Sequence, residues 1–271
     1  MHRSALVEQI RKKNSYLCIG LDTDISLIPK FLLTESDPVF AFNKAIIDAT
    51  HHLCVAYKIN TAFYETRGAE GWTSLQKTAN YIPSNIFKIA DAKRGDIGNT
   101  SAQYAKAFFE TMDFDAITVA PYMGEDSVRP FLDYGDKWTI VLALTSNKGA
   151  SDFELEKLGE VPLFEAVMTR VMRWGNPGNL MFVTGATQAL WFKKLRSICP
   201  EHFFLVPGVG TQGGDLRSIS AVGLNRDIGL LVNSSRGIIY SSAGEDFAIA
   251  AAVEAARYQK EMLSFCQDKL A

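Results

Sequence analysis

Apolar, β-prone runs recur along this chain at a spacing that few architectures accept. They lie at Tyr16–Asp22, Ala56–Asn60, Phe87–Lys93, Ala116–Tyr122, Thr139–Ser146, Leu180–Thr187, Phe203–Gly210 and Gly229–Arg236. Roughly 20 to 40 residues separate most of them, with the 3.6-residue periodicity of amphipathic helices. Asp37–His52, Thr100–Met112, Pro162–Trp174, Thr187–Ser197 and Gly244–Phe265 carry that periodicity. Strands that alternate with helices pair in parallel. Runs that are almost continuously apolar, rather than alternating, are buried on both faces. Eight such units in 271 residues fit an α/β fold of the (β/α)8 TIM barrel type, a single domain over residues 1–271. The rival, an open doubly wound sheet, expects G-x-G-x-x-G after its first strand, where this chain has Leu21-Asp22-Thr23-Asp24. The barrel is therefore the expected fold.

Composition narrows the partners. A net charge of −2 with no basic block argues against nucleic acid and against anionic membranes. Cys18, Cys54, Cys199 and Cys266 are scattered with no Cys-x-x-Cys pair, so free thiols are expected rather than a disulfide framework or a thiolate metal site. Met1–Asn14 is charged and lacks the apolar core of a secretory signal. No apolar run approaches the roughly 18 residues that span a bilayer. A soluble, cytoplasmic protein is expected, with no room for a fused second catalytic domain.

Nearly every run ends in polar residues: Asp22, Lys58 and Asn60, Asp91 and Lys93, Thr145 and Ser146, Gln212, Arg236. In a barrel those tips ring one mouth, where active sites are built. The densest stretch is Asp91-Ala92-Lys93-Arg94-Gly95-Asp96-Ile97-Gly98. Strand alternation sends Asp91 and Lys93 to the same side, and a charged pair facing inward is costly unless it serves a purpose. A strand-capping ion pair would use the same residues. Alternation also places Lys58 and Asn60 on one face, although a lysine there can instead snorkel outward between helices. Two lysines and two aspartates at one mouth would form an alternating network that keeps Lys93 charged and oriented as an acid.

Pro207-Gly208-Val209-Gly210-Thr211-Gln212-Gly213-Gly214 is a glycine-rich loop after the seventh run. Small residues let backbone N–H groups approach an anion. After the eighth run, Asn233-Ser234-Ser235-Arg236-Gly237 offers a guanidinium suited to phosphate. Loops after strands seven and eight are the usual phosphate site of such barrels. Asn147–Val161, after the fifth run, is either a lid over the mouth or a long surface loop. His2, His51, His52 and His202 lie away from the tips, which disfavours histidine acid–base chemistry and a His-rich metal site. H-E-x-x-H, G-x-S-x-G and G-x-x-x-x-G-K-[ST] are absent, so zinc protease, serine hydrolase and P-loop readings fall away.

Asp91-x-Lys93-x-x-Asp96-Ile97 resembles the signature of the orotidine 5′-phosphate decarboxylase family. Asp22, Lys58, Thr145-Ser146, Pro207-Gly208-Val209-Gly210-x-Gln212-Gly213 and Arg236-Gly237 follow in the order that family shows, over about residues 16 to 240. Asn147 with its long loop is similar to the bacterial subgroup with longer chains. The resemblance implies decarboxylation of orotidine 5′-monophosphate to UMP and CO2, the last step of pyrimidine nucleotide synthesis, without metal or organic cofactor. It implies that Lys93 gives a proton to C6, that Asp91 sits against the substrate carboxylate and that Lys58 completes the network. Asp96 would cross into the neighbouring subunit's site in a homodimer, with Thr100 assisting from the partner chain. Asp22 and Asn60 would join the substrate-binding residues, Asp22 on the ribose hydroxyls. Ser146 would contact the pyrimidine edge and Gln212 would bridge base and phosphate. Arg236 and the glycine-loop amides would hold the phosphate, with Pro207 and Gly237 also among the substrate-binding residues.

Two features depart from the pattern. The loop after the seventh run is short, leading through Asp215 into Leu216, and Ser235 stands where a glycine is often found. Three rival readings remain at this point. A metal-dependent sugar-phosphate decarboxylase would keep Asp91-x-Lys93. A Schiff-base aldolase would need a depressed lysine pKa, which Asp91 and Asp96 oppose. A non-catalytic phosphate-ligand barrel would bind nucleotide without turnover.

Overall fold

The computed structural model describes residues 1–186, 189–210 and 214–270. Eight parallel strands close into a barrel: β1 Leu17–Gly20, β2 Ala56–Asn60, β3 Phe87–Arg94, β4 Ala116–Val119, β5 Trp138–Leu144, β6 Leu180–Thr184, β7 Phe203–Pro207 and β8 Leu230–Ser234. Each strand pairs with its neighbours in sequence, and β1 closes on β8 through Leu17↔Val232 and Ile19↔Ser234. A helix follows each strand, ending with the long Phe247–Leu270. The expected barrel is thus the observed fold.

Local chemistry sets the helices. Asp37 caps Pro38–Thr50 by accepting from the Phe40 N–H at 3.1 Å, and Pro38 occupies the first helical turn. The same carboxylate accepts from Ser74 and Lys77, which ties this helix to Gly68–Tyr81. Four helices carry too weak a pattern to be expected from sequence. Arg3–Lys13 is mostly polar, Gly68–Tyr81 holds two glycines, Glu125–Leu132 contains Pro130, and Leu216–Gly223 is short.

The barrel floor is a plug of aromatic side chains. Phe87, Trp138 and Phe203 open β3, β5 and β7, and their rings meet edge to face at centroid distances of 6.1 and 6.2 Å. These strands are not neighbours, so their side chains meet only across the interior, one layer drawn from alternate strands. Trp138 Nε1 donates to the Met1 carbonyl, and the Met1 ammonium pairs with Asp115 at 2.6 Å, fastening the N-terminal segment beneath the floor.

Most strands stop before their apolar runs do. β1 ends at Gly20, β4 at Val119, β5 at Leu144, β7 at Pro207 and β8 at Ser234. Past these ends single backbone bonds persist, from the Leu21 N–H to the Lys58 carbonyl and from the Ala120 N–H to the Arg94 carbonyl, and the polar tip residues lie beyond them. For the sixth run, Thr187 lies outside the described residues.

Candidate active site

Lys58 sits at the centre of the mouth. Its ammonium donates to Asp91 Oδ2 at 2.9 Å and to Asp22 Oδ1 at 3.2 Å, and its side chain is only 4% exposed. β2 and β3 are in register with Asn60 opposite Asp91, which brings the carboxylate within reach of Lys58 one step along the wall. Burial is the largest influence on Lys58 and opposes its charge. Asp22 and Asp91 together outweigh it and hold the ammonium above its ordinary pKa. Burial likewise works against ionised Asp91, yet Lys58 and Lys93 hold its carboxyl well below the usual carboxylate range. Lys58 and Asp91 are therefore fixed in their charged forms.

Lys93 extends the row outward, its ammonium 2.6 Å from Asp91 Oδ1 and its side chain 50% exposed. The meeting does not come from simple alternation. Ala90 pairs with Ile117 and Arg94 with Val119, so Asp91, Ala92 and Lys93 all face Thr118, and Lys93 adopts φ +48°. This bulge swings the lysine over the mouth while the ladder resumes at Arg94.

Two lobes open on either side of the charged row. The first is polar, with Asp22, Asn60, Asn233, Ser235 and Arg236 around the Pro207–Val209 backbone. Gly208 and Gly210 have φ of +95° and +82°. A Cβ at Gly210 would fall 2.5 Å from the Tyr258 hydroxyl, so this turn requires glycine on both counts. The loop is pinched shut by Gly210 N–H to the Gly214 carbonyl and Gly214 N–H to the Gly208 carbonyl. Gln212 lies outside the described residues. Arg236 opens the short helix Arg236–Ile239, is exposed, and among the described residues pairs with no carboxylate. Gly237 follows it on the same turn.

The second lobe is apolar, floored by Leu142, Val183 and Leu205 and rimmed by Thr145, Ser146 and Asn147. Ser146 rests on Gly185 so closely that a Cβ there would fall 2.5 Å from the Ser146 backbone. Glu154, from the long segment after β5, accepts from the Thr145 N–H at 2.7 Å and from its hydroxyl at 2.8 Å. That segment is thus tied to the β5 tip rather than hanging free.

Asp96 and Thr100 stand apart from this cleft. Asp96 Oδ1 accepts from the Ile97 N–H, its backbone is held by Ser101, and it joins no ion pair among the described residues. Thr100 follows on the helix Gly98–Lys106. Around the β3 and β4 tips, Ile97, Tyr122 and Met123 are exposed apolar side chains. Among the described residues, no three His, Cys, Asp or Glu side chains are grouped to hold a metal ion, and no helix is long and apolar enough to cross a membrane.

Residues 15–251 match the model of the Orotidine 5′-phosphate decarboxylase / HUMPS family. The chain belongs to this family. The Orotidine 5′-phosphate decarboxylase of Phocaeicola vulgatus is 56% identical over 266 residues, covering 97% of this chain and 98% of that protein. That of Flavobacterium johnsoniae is 56% identical over 272 residues, covering 99% and 100%. Among solved structures, Leishmania donovani OMP decarboxylase aligns at 36% identity with a TM-score of 0.83, covering 98% of this chain and 99% of that one. Leishmania donovani UMP synthase aligns at 37% identity with a TM-score of 0.86; this chain spans 56% of that longer chain.

Sequence reasoning reached the charged row and the tips of both lobes. It gave no role to Thr118, to Asn233 within the motif that carries Arg236, or to Glu154 within Asn147–Val161, and it read Ser235 only as a departure from the family pattern. Ser235 Oγ donates to Asp22 Oδ2 at 2.8 Å, and Asn233 Nδ2 reaches Ser235 at 3.4 Å. No sequence signal marks these residues, because each acts through a neighbour that folding alone supplies.

Proposed function

We propose that this chain is a homodimeric, cytoplasmic orotidine 5′-monophosphate decarboxylase built as one catalytic domain, forming UMP and CO2 in pyrimidine nucleotide synthesis without a cofactor. The observation that carries this reading is the position of the Lys58–Asp91–Lys93 row at the seam between the two lobes. The apolar floor and polar rim of one lobe suit a flat pyrimidine, with Ser146 at its edge. The polar lobe suits a ribose phosphate, with Asp22 and Asn60 toward the sugar and Arg236, Gly237 and the Pro207–Gly210 backbone toward the phosphate. A base and phosphate so seated bring the ring's C6 carboxylate against Asp91.

The chemistry follows from the charges. Asp91 is held ionised, so a substrate carboxylate beside it meets a like charge that departure of CO2 relieves. The C6–CO2 bond breaks with its electron pair left on C6. The Lys93 ammonium stabilises that charge and then transfers a proton to it. Being half exposed, Lys93 regains its proton from water. Lys58 holds Asp91 in place throughout. Binding energy from the phosphate, remote from the reacting carbon, is realised in the transition state. The stranding of Asp96 and Thr100 beside exposed Ile97, Tyr122 and Met123 supports their use in a second subunit's site. Four buried free cysteines suit a reducing compartment.

The deciding experiment follows the loss of orotidine 5′-monophosphate absorbance in EDTA for wild type and Lys93→Ala. Turnover by wild type that drops by about 10²-fold or more in the variant is expected. A folded wild type that binds UMP without turnover would make this a binding barrel. Dependence on added magnesium, or neither turnover nor binding, would return the sugar-phosphate readings.

A further inference from the structure

Thr118, on β4, holds a position that the charge network does not explain. It is 1% exposed, and its hydroxyl lies between two groups of the same loop of β3. The Lys93 backbone N–H donates to Thr118 Oγ1 at 2.9 Å, and Oγ1 stands 3.0 Å from Asp91 Oδ1. The direction of this chain is fixed. An amide N–H only donates and an ionised carboxylate only accepts, so the single hydroxyl proton points at Asp91.

The result is a closed circuit. Lys93 N–H binds Thr118, Thr118 binds Asp91, and Asp91 binds the Lys93 ammonium at 2.6 Å. Both ends of one lysine are thus referenced to one threonine hydroxyl. The circuit answers two local difficulties. Lys93 has φ +48°, a region that costs a non-glycine residue about 1 kcal/mol, and its N–H has left the ladder within the bulge. Its four-carbon stem is also half exposed, and among the described residues Asp91 is the one partner that directs the ammonium. A valine would fill the same space and bond to neither group.

We propose that Thr118 is a positioning residue for decarboxylation, setting where the Lys93 ammonium stands relative to the reacting carbon. This rests on the decarboxylase reading. The substrate lobes do not include Thr118, so its loss falls on the chemical step and not on binding.

Thr118→Val and Thr118→Ser test it with two readouts. With orotidine 5′-monophosphate, Thr118→Val is expected to lose about 10²-fold in kcat with KM changed by less than about threefold. Thr118→Ser keeps the hydroxyl and recovers most of that loss. A loss carried by KM, an unchanged kcat in the valine variant, or a serine variant no better than valine overturns the proposal. Amide hydrogen exchange at Lys93 needs no substrate: exchange is expected to quicken about tenfold or more in Thr118→Val and to stay slow in Thr118→Ser. Unchanged exchange in the valine variant overturns the proposal whatever the activity. If wild type fails to turn over the nucleotide, the decarboxylase reading fails and with it Thr118's catalytic purpose, while the exchange result still judges whether Thr118 pins Lys93. Should Thr118→Val not fold, Thr118→Ala takes its place under the same criteria.

Discussion

The Ser235 hydroxyl occupies the space that any side chain on Gly20 would need: a Cβ at Gly20 would fall 1.8 Å from Ser235 Oγ and 2.9 Å from Ser235 Cβ. The two residues face each other across the seam where β1 closes on β8. Ser235 in turn donates to Asp22 Oδ2, while Lys58 binds Asp22 Oδ1. One carboxylate at the mouth is thus oriented from both sides of the barrel's closing joint.

Gly20→Ala is therefore expected to push Ser235 off Asp22. Overpacking of this kind costs about 1–3 kcal/mol, read as a lower midpoint in urea unfolding. Adding Ser235→Gly removes the obstructing atoms and restores most of the stability, a coupling that a double-mutant cycle measures. A Gly20→Ala variant as stable as wild type contradicts this account.

Arg236→Ala removes a polar-lobe cation that pairs with no carboxylate among the described residues. A hydrogen bond to a charged group contributes about 1.5–3 kcal/mol, so KM for orotidine 5′-monophosphate is expected to rise about 10- to 100-fold. Orotidine, which lacks the phosphate, should be turned over equally by variant and wild type. Equal damage to both substrates would place Arg236 elsewhere in the mechanism.

Asp96 in another subunit's site predicts rescue by mixing. Lys93→Ala and Asp96→Asn homodimers should each be nearly inactive. Subunit exchange then creates hybrids with one intact site, and activity should climb toward about a quarter of wild type. Hybrids that form by sedimentation yet stay inactive would confine Asp96 to its own chain.

The Lys58–Asp91 pair sets a pH window for stability. Asp91 is depressed in the folded state, so its contribution is present above the unfolded carboxyl pKa and is lost as pH falls through the folded value. Lys58 is raised, so its contribution is present below the unfolded lysine pKa and is lost as pH rises through the folded value. The stability gap between wild type and Asp91→Asn should be flat from about pH 5 to 9 and shrink below about pH 4. Its size should approach about 3 kcal/mol, the lower end for a broken buried pair, because Asp22 still faces Lys58. A gap that changes between pH 6 and 8 would assign it to another group.

The legible parts of this chain were those with a local signal. Apolar runs gave the eight strands, and their polar ends gave Asp22, Lys58, Asp91 and Lys93 as neighbours at one mouth. Where pairing partners were needed, the sequence was silent. Thr118 in Ala116–Val119 reads as an ordinary β-branched strand residue, and only the three-against-one bulge turns it toward Asp91 and Lys93. Strand ends were overrun because the apolar pattern continues into tips that the ladder has already released. Asp96 and Thr100 keep step with the motif in sequence, yet the chain's own fold leaves them outside its cleft.

The bulge in β3 has a historical consequence. Because the strand regains its ladder at Arg94↔Val119, Lys93 belongs to the wall of the barrel and is anchored before and after. On the proposed reading, the loops that would meet base and phosphate leave from other strands, at β5, β7 and β8. Insertions, deletions and exchanges in those loops can redirect which molecule is admitted while the charged row keeps its place. Selection would thus work on interchangeable doors around a fixed engine, and a new substrate would be reached through the doors first.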